Sequence, residues 1–349
     1  MAGWKDYIRR VEPYTPGEQP KQSNIIKLNT NENPYGPSPV VCQVRENMDD
    51  LRLYPDPSAG MLVESLARYH GVDADQVFVG VGSDDVLAMA FLTFFNSDKA
   101  VLFPDISYSF YPVWAELFRI PYEKQPLDAS FRLVKEDYYK ENGGVVFPNP
   151  NAPTGIYEPL DFIEDILQHN PDSVVIIDEA YIDFAGESAL SLLADHDNLL
   201  VVRTFSKSRS MAGLRIGYAI GNPELILAMN DVKYSYNSYT MNRPSLILGT
   251  KVLEDEAYFQ SVIRKIITTR EWFGNRLKEL GFTFPESGSN FIFATHKTVP
   301  ARELFDAAKE HGIYIRYFDQ PRIDNYLRIT IGTDEEMQRL VDFFEEYLK

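Results

Sequence analysis

A single cysteine, Cys42, stands in the 349-residue chain, so no disulfide can close within it. That fits a reducing compartment. Basic residues are in deficit, with 34 Lys and Arg against 51 Asp and Glu, for a net charge of −17. Such a field disfavours nucleic acid and anionic membrane as partners. It does not exclude an anionic small molecule, because a local arginine cluster can invert it. No run of about 18 apolar residues occurs. The opening MAGWKDYIRR has no apolar stretch of the export type, so a cytoplasmic protein is expected. The five histidines, at 70, 169, 196, 296 and 311, lack metal-ligand spacing, and no metal site is expected. There is no G-x-S-x-G elbow for a serine hydrolase. The closest approach to a dinucleotide fingerprint, GVGSDD at 80–85, lacks the third glycine and a ribose-binding acid about 20 residues on. Repeats and low-complexity tracts are also absent.

What is present is an ordinary globular composition, 44% apolar and 24% charged. The length predicts one large or two unequal domains. The first 40 or so residues are rich in Pro, Asn and Gly and predict an extended arm with turns. VCQVRENMDDLRLY (41–54) predicts a helix, and MLVESLARYHG predicts another ending at Gly71. Short β-branched runs follow: VFVGVG, KAVLFP, GGVVFPNP, SVVIIDEAY and LLVVRTFSK. Helical patterns such as DDVLAMAFLTFF, YPVWAELFRI and PLDFIEDILQHN lie among them. This alternation predicts an α/β fold with a mostly parallel sheet covered by helices on both faces. A long amphipathic helix is predicted over EAYFQSVIRKIITTREWFGNRLKELG. Beyond about residue 276, strands (NFIFAT, IYIRYF, YLRITIG) and two helices predict a smaller α+β domain. The expected division is an arm at 1–27 packing with the small domain, a large domain at 28–275 including the long connecting helix, and a small domain at 276–349.

In open α/β sheets ligands bind beyond the carboxyl ends of the strands. Four predicted strands end in polar clusters: Gly82-Ser83-Asp84, NPNAPTG, Asp178-Glu179-Ala180-Tyr181, and RTFSK. GSDD at a helix start offers free N–H groups and a positive dipole end, which suit a phosphate. Thr204 and Ser206 add hydroxyls, and Arg215 adds a bidentate charge. Lys207 is an amine of the kind that serves Schiff-base chemistry when desolvated. Asp178, at a buried strand end, requires a cationic partner. Asn151 and Tyr181 can hydrogen-bond a phenolate. Alone, a lysine after a strand is ordinarily a solvated charge, and an aspartate there is often a helix cap. The coincidence of four clusters in this order outweighs those readings. Phosphate, aldehyde, pyridinium and phenolate together describe pyridoxal phosphate.

At these residues the chain resembles the fold-type-I pyridoxal-phosphate aminotransferases. PNPNAPTG with Asn151, DEAY with Asp178 and Tyr181, TFSKSRSMAG with Lys207, and G-L-R with Arg215 carry the resemblance. TFSK-S-R-S-x-x-G is similar to the signature of the class II subgroup. LNTNENPYGPSP, YPDP at 54–57, GVGSDD, ISYSFY and GIYIR…YLRITIG resemble the histidinol-phosphate aminotransferase group over nearly the whole chain.

The resemblance implies roles. Lys207 would hold the cofactor through a Schiff base and move a proton between substrate and cofactor. Asp178 would keep the ring nitrogen protonated, Asn151 and Tyr181 would bind the phenolate oxygen, and Tyr108 would stack on the ring. Ser83, Asp84, Thr204, Ser206 and Arg215 would cradle the phosphate, the first two at least partly through backbone N–H groups. Tyr54 would reach that phosphate from the neighbouring subunit of a homodimer. Arg328 and Arg316 would hold substrate anions, and Tyr14 would touch the substrate. Asn31 and Glu32 lie in a segment that closes over the site, with no catalytic step assigned. The implied reaction converts L-histidinol phosphate and 2-oxoglutarate to imidazole acetol phosphate and L-glutamate, in histidine biosynthesis. Aromatic amino-acid transamination and phosphothreonine decarboxylation on the same scaffold remain open alternatives, because only pocket side chains separate them.

Overall fold

Five runs of β-branched and apolar residues predicted as strands are buried along their whole length. They belong to one sheet in a computed structural model that describes residues 9–15, 17–21, 24–44 and 48–349. The strands in chain order are β1 Ile26–Lys27, β2 Val77–Gly80, β3 Val101–Pro104, β4 Tyr122–Gln125, β5 Gly144–Pro148, β6 Val175–Asp178 and β7 Leu199–Thr204. They continue with β8 Gly217–Gly221, β9 Phe282–Thr283, β10 Phe291–His296, β11 Ile313–Tyr314, β12 Arg316–Tyr317 and β13 Leu327–Thr330. The helices are α1 Gly60–His70, α2 Ser83–Phe94, α3 Phe110–Phe118, α4 Leu160–His169 and α5 Pro223–Tyr236. After them come α6 Arg243–Val252, α7 Glu256–Glu279, α8 Ala301–Glu310 and α9 Asp334–Tyr347.

The large sheet has the order β2-β8-β7-β6-β5-β3-β4. Only β8 runs against its neighbours; the other pairs are parallel. Successive residues of these strands feed opposite cores. Val146, Ile176, Leu200 and Val202 pack with helices α2 and α3 on one face. Val145, Phe147, Ile177 and Val201 pack with Ile163, Ile166 and Leu167 of α4 on the other. Burial on both faces is why the strands read as continuous apolar runs rather than as alternation. It also sends β2, β5, β6 and β7 out at one edge, each ending in its polar cluster.

The second sheet, β12-β13-β10-β9, is antiparallel. Its core combines the inner stripe of α7 with α8, α9 and, from the N-terminal segment, Ile26 and Leu28. Strand β1 pairs in parallel with β11. Helix starts follow local chemistry. Asp255 caps α7 by accepting from the Tyr258 N–H, and Thr333 with Glu336 forms a capping box on α9. Helix α1 ends at Gly71, which adopts φ 70°.

Some elements differ from expectation. The helix expected over 41–54 gives short 3₁₀ turns at Pro39–Gln43 and Met48–Arg52, with residues 45–47 outside the described set. Pro39 and the run Asn47-Met48-Asp49-Asp50 favour turns over a continuous helix. The first eight residues of the expected arm are likewise outside the described set. The run IYIRYF divides at Ile315, so that β11 pairs with β1 and β12 with β13. Strand β8 was not anticipated, because GYAIG carries glycines at both ends.

Those glycines serve close packing. A Cβ on Gly217 would lie 2.2 Å from the Gly82 carbonyl carbon and 2.3 Å from the Ser83 nitrogen. Gly217→Ala is therefore expected to cost about 1–3 kcal/mol, as overpacking does. Gly213→Ala, with nothing within 4 Å of the new methyl, should be close to neutral. Urea unfolding midpoints of the two variants check the contrast.

Candidate active site

The carboxyl ends of β2, β5, β6 and β7 open onto a cavity of about 480 Å³. Tyr14, Ser83, Asp84, Tyr108, Asp178 and Tyr181 line it. So do Thr204, Ser206, Lys207, Arg215, Arg316 and Arg328. Asn151 lies just behind its wall, fully buried. Tyr54 is elsewhere: it is 79% exposed and stacks on Tyr239 at 4.7 Å. A second groove, of about 560 Å³, runs past Arg132, Arg270 and Glu286. It has no lysine and none of the four strand-end clusters, so the chemistry lies in the first.

One end of the cavity is built for an anion. Helix α2 begins at Gly82, whose φ of 85° turns the chain and which supplies no side-chain cap. The N–H groups of the first turn are thus free for a ligand, at the positive end of the helix dipole. Arg215 adopts φ 53° and brings its guanidinium alongside. Its Nη2 donates to Asp84 Oδ2 at 3.2 Å, and its Nη1 to Ser206 Oγ at 3.4 Å. A Cβ at Gly82 would lie 2.4 Å from that Nη2, which accounts for glycine there. The hydroxyls of Thr204 and Ser206 are 3.0 Å apart in the same wall.

The floor holds a carboxylate. Asp178 is 5% exposed. Its Oδ2 accepts from the Tyr111 hydroxyl at 3.1 Å and its Oδ1 from the Ala180 N–H at 3.2 Å. Neither partner is a cation. Burial pushes the carboxyl up to about 6, against the hydrogen bonds from Tyr111 and Ala180, with Asp84 adding repulsion. Above it, Tyr108 donates to Asp84 Oδ1 at 2.6 Å and packs edge-on against Tyr111. Asn151 uses its amide N–H groups on the Ile106 carbonyl and Thr154, and its buried Oδ1 has no partner.

Lys207 follows the end of β7. Its Nζ donates to the Thr30 carbonyl at 3.3 Å and sits 5.7 Å from the Tyr181 ring centroid. The N-terminal segment closes this side. Asn33 donates to the carbonyls of Lys207 and Ser208, at 3.2 and 3.1 Å. Asn31 donates to the Tyr181 hydroxyl at 2.8 Å and accepts from Thr330 at 3.1 Å. Behind Lys207, Ser208 donates to Asp183, which Arg203 also holds. Sequence reading assigned no role to Tyr111, Asn33, Asp183 or Arg203. Their partners are distant in the chain, so no local pattern marks them.

The far end carries two arginines. Arg316 and Arg328 face each other across the β12–β13 ladder. Like charges placed directly opposite are destabilising. Arg328 donates to the Asn29 carbonyl at 3.2 Å, while its Nε is buried without a partner. Burial and the facing Arg316 pull its guanidinium below the usual value. Tyr14, stacked on Phe110 at 4.3 Å, forms the adjacent wall.

Comparison with known proteins agrees with this arrangement. The family described as aminotransferase class I and II matches residues 23–344. The chain belongs to that family. A histidinol-phosphate aminotransferase of Lactococcus lactis subsp. cremoris is 53% identical over 348 residues, 99% of this chain and 98% of the relative. Histidinol-phosphate aminotransferase 1 of Hydrogenovibrio crunogenus is 51% identical, over 99% and 98%. The crystal structure of a histidinol-phosphate aminotransferase from Sinorhizobium meliloti, in complex with pyridoxal-5'-phosphate, superposes with a TM-score of 0.85 at 25% identity. It covers 93% of this chain and 90% of that one. The aminotransferase class I and II family is pyridoxal-phosphate-dependent. The residues present fit that cofactor. The uncapped helix start suits its phosphate, and Asp178, with no cation among its hydrogen-bond donors, suits its ring nitrogen.

Asp178 also implies a stability cost. A carboxyl raised from 3.8 to about 6 on folding destabilises the cofactor-free protein as pH climbs through that interval. Asp178→Asn is expected to raise the stability of the cofactor-free protein at neutral pH by up to about 3 kcal/mol. The gain should fade toward pH 4, where the wild-type carboxyl is protonated. Thermal melts of cofactor-free protein across this range check the sign; a variant less stable than wild type at neutral pH contradicts it.

Proposed function

We propose that this chain is a homodimeric, cytoplasmic histidinol-phosphate aminotransferase that converts L-histidinol phosphate and 2-oxoglutarate to imidazole acetol phosphate and L-glutamate. The observation that carries the substrate choice is the Arg316–Arg328 pair, facing across a ladder with no carboxylate paired to either among the described residues. Histidinol phosphate brings a phosphate and no carboxylate, whereas 2-oxoglutarate and glutamate each bring two carboxylates. Planar guanidinium groups serve both anions. The 53% identity to a histidinol-phosphate aminotransferase supports the same choice.

Pyridoxal phosphate, when bound, supplies an aldehyde that exchanges amines and a protonated ring that accepts electrons from the substrate. The chain supplies the rest. The first turn of α2 with Ser83 and Asp84, together with Thr204, Ser206 and Arg215, holds the phosphate. The Asp178 carboxylate pairs with the ring nitrogen and keeps a proton on it. Tyr108 covers the ring face, and Tyr181 through its hydroxyl and Asn151 through the amide N–H now given to Thr154 donate to the phenolate oxygen. Lys207 would present its Nζ toward the aldehyde and would carry the proton removed from the substrate carbon. Tyr14, Asn31 and Glu32 exclude water on the N-terminal side.

The same reading keeps a large domain at 28–275 and a small one at 276–349. Ile26 in the small-domain core supports the packing of the 1–27 arm there. It also makes Tyr54 a residue given to a partner's phosphate site. Support comes from the exposed Leu51 and Leu53 next to it in the chain and the exposed Tyr239 on which it stacks. No helix among the described residues is long and apolar enough to cross a membrane.

Two experiments test the proposal. The cofactor-loaded protein is mixed separately with histidinol phosphate, phenylalanine and phosphothreonine while its visible spectrum is followed. Histidinol phosphate should bleach the band and 2-oxoglutarate should restore it; bleaching by phenylalanine alone overturns the substrate choice. For the dimer, Lys207→Ala and Tyr54→Ala chains should each be nearly inactive, yet regain activity when co-expressed. A mixed dimer then holds one site with both residues, and absence of recovery refutes donation by Tyr54.

A further inference from the structure

Tyr111 has a hydroxyl that packing does not require. Its ring is wholly buried on α3, against Phe91, Phe103 and Trp114. Phenylalanine would fill that space, as its neighbours do. A buried phenol must find a partner, and this one finds Asp178 Oδ2 at 3.1 Å. Burial and the adjacent Asp178 raise the Tyr111 phenol well above its usual value, so it remains a donor throughout the working pH range.

The geometry has a specific effect on Asp178. Tyr111 secures one carboxylate oxygen and the Ala180 N–H the other. Together they fix the plane of the group on the cavity floor. Both donate, so both favour the ionised form. Without the phenol, the carboxyl loses the donor that most opposes its burial and protonates more readily. A neutral acid pairs poorly with a ring cation. The neighbouring Tyr108 makes the analogous contact with Asp84. One short stretch of chain thus steadies both aspartates of the cavity.

We propose that Tyr111 is a positioning residue that acts through Asp178, fixing the orientation and charge of the carboxylate that pairs with the pyridoxal-phosphate ring nitrogen. The inference rests on the cofactor placement argued above. Tyr111 touches neither substrate nor reacting atoms in this scheme.

The test compares two ligands on full-length protein freed of cofactor. One is pyridoxal phosphate; the other is its analogue with carbon in place of the ring nitrogen. Tyr111→Phe should bind pyridoxal phosphate roughly ten- to hundredfold more weakly than wild type, the scale for losing a hydrogen bond to a charged group. It should bind the carbon analogue within about twofold of wild type, since that ligand makes no demand on the Asp178 charge. Equal losses for both ligands, or no loss for either, overturn the assignment to Tyr111 and leave the cofactor site standing. Failure of the wild type to bind pyridoxal phosphate overturns the cofactor site itself. Should Tyr111→Phe alone fail to fold, the same substitution is made in an Asp178→Asn background. There it should weaken pyridoxal-phosphate binding by no more than about twofold, because the charged partner is already gone. A further tenfold loss contradicts the proposal.

Discussion

Buried charge left without its counter-charge governs this molecule. Strand β6 carries Asp178 to the edge of an apolar sheet, where its hydrogen-bond donors among the described residues are a phenol and an amide N–H. At the other end of the same cavity, Arg316 and Arg328 face one another, with no carboxylate paired to either among the described residues. A folded chain has no intrinsic reason to desolvate a lone acid or to align two cations. Both arrangements become favourable once a ligand brings the opposite charges. The cores on either side of the large sheet and within the smaller unit supply the stability that lets the site stay incomplete.

Topology explains why the phosphate end forms where it does. Strand β8 lies between β2 and β7 and runs against both. Gly217 therefore sits opposite Gly80 on one side and Thr204 on the other. The loop that leaves β7 with Lys207 must return to this point before β8 can begin. It thereby sets Arg215, two residues before Gly217, between the start of α2 and the end of β7. The left-handed conformation of Arg215 and the glycine at 82 are local consequences of that crowding.

Much of this was legible before any coordinates. The doubly covered parallel sheet follows from runs such as VVF, VVIID and LLVV, which tolerate burial on both faces. The strand-end clusters follow from the rule that ligands gather at carboxyl ends, and the cavity collects the residues named from them except Asn151, which is buried behind its wall. What was not legible shares one physical cause. Tyr111 looks like another core aromatic of α3, because its partner lies 67 positions away. Strand β8 is glycine-rich because it is crowded, and crowding is a tertiary fact. Tyr54 is drawn from a resemblance, and within one chain its ring stacks on Tyr239 at the surface.

The N-terminal segment ties remote parts of the chain together. Asn31 reaches both Tyr181 and Thr330, the latter 299 positions on, while Asn33 grips the Lys207 loop. Strand β1 adds a pairing with β11. During synthesis the Thr330 contact and the β11 pairing cannot form until residues 313–330 have left the ribosome, although the large sheet is by then complete. The nascent protein thus passes through a stage in which the lysine side of its cavity is built and the end carrying Arg316 and Arg328 is missing.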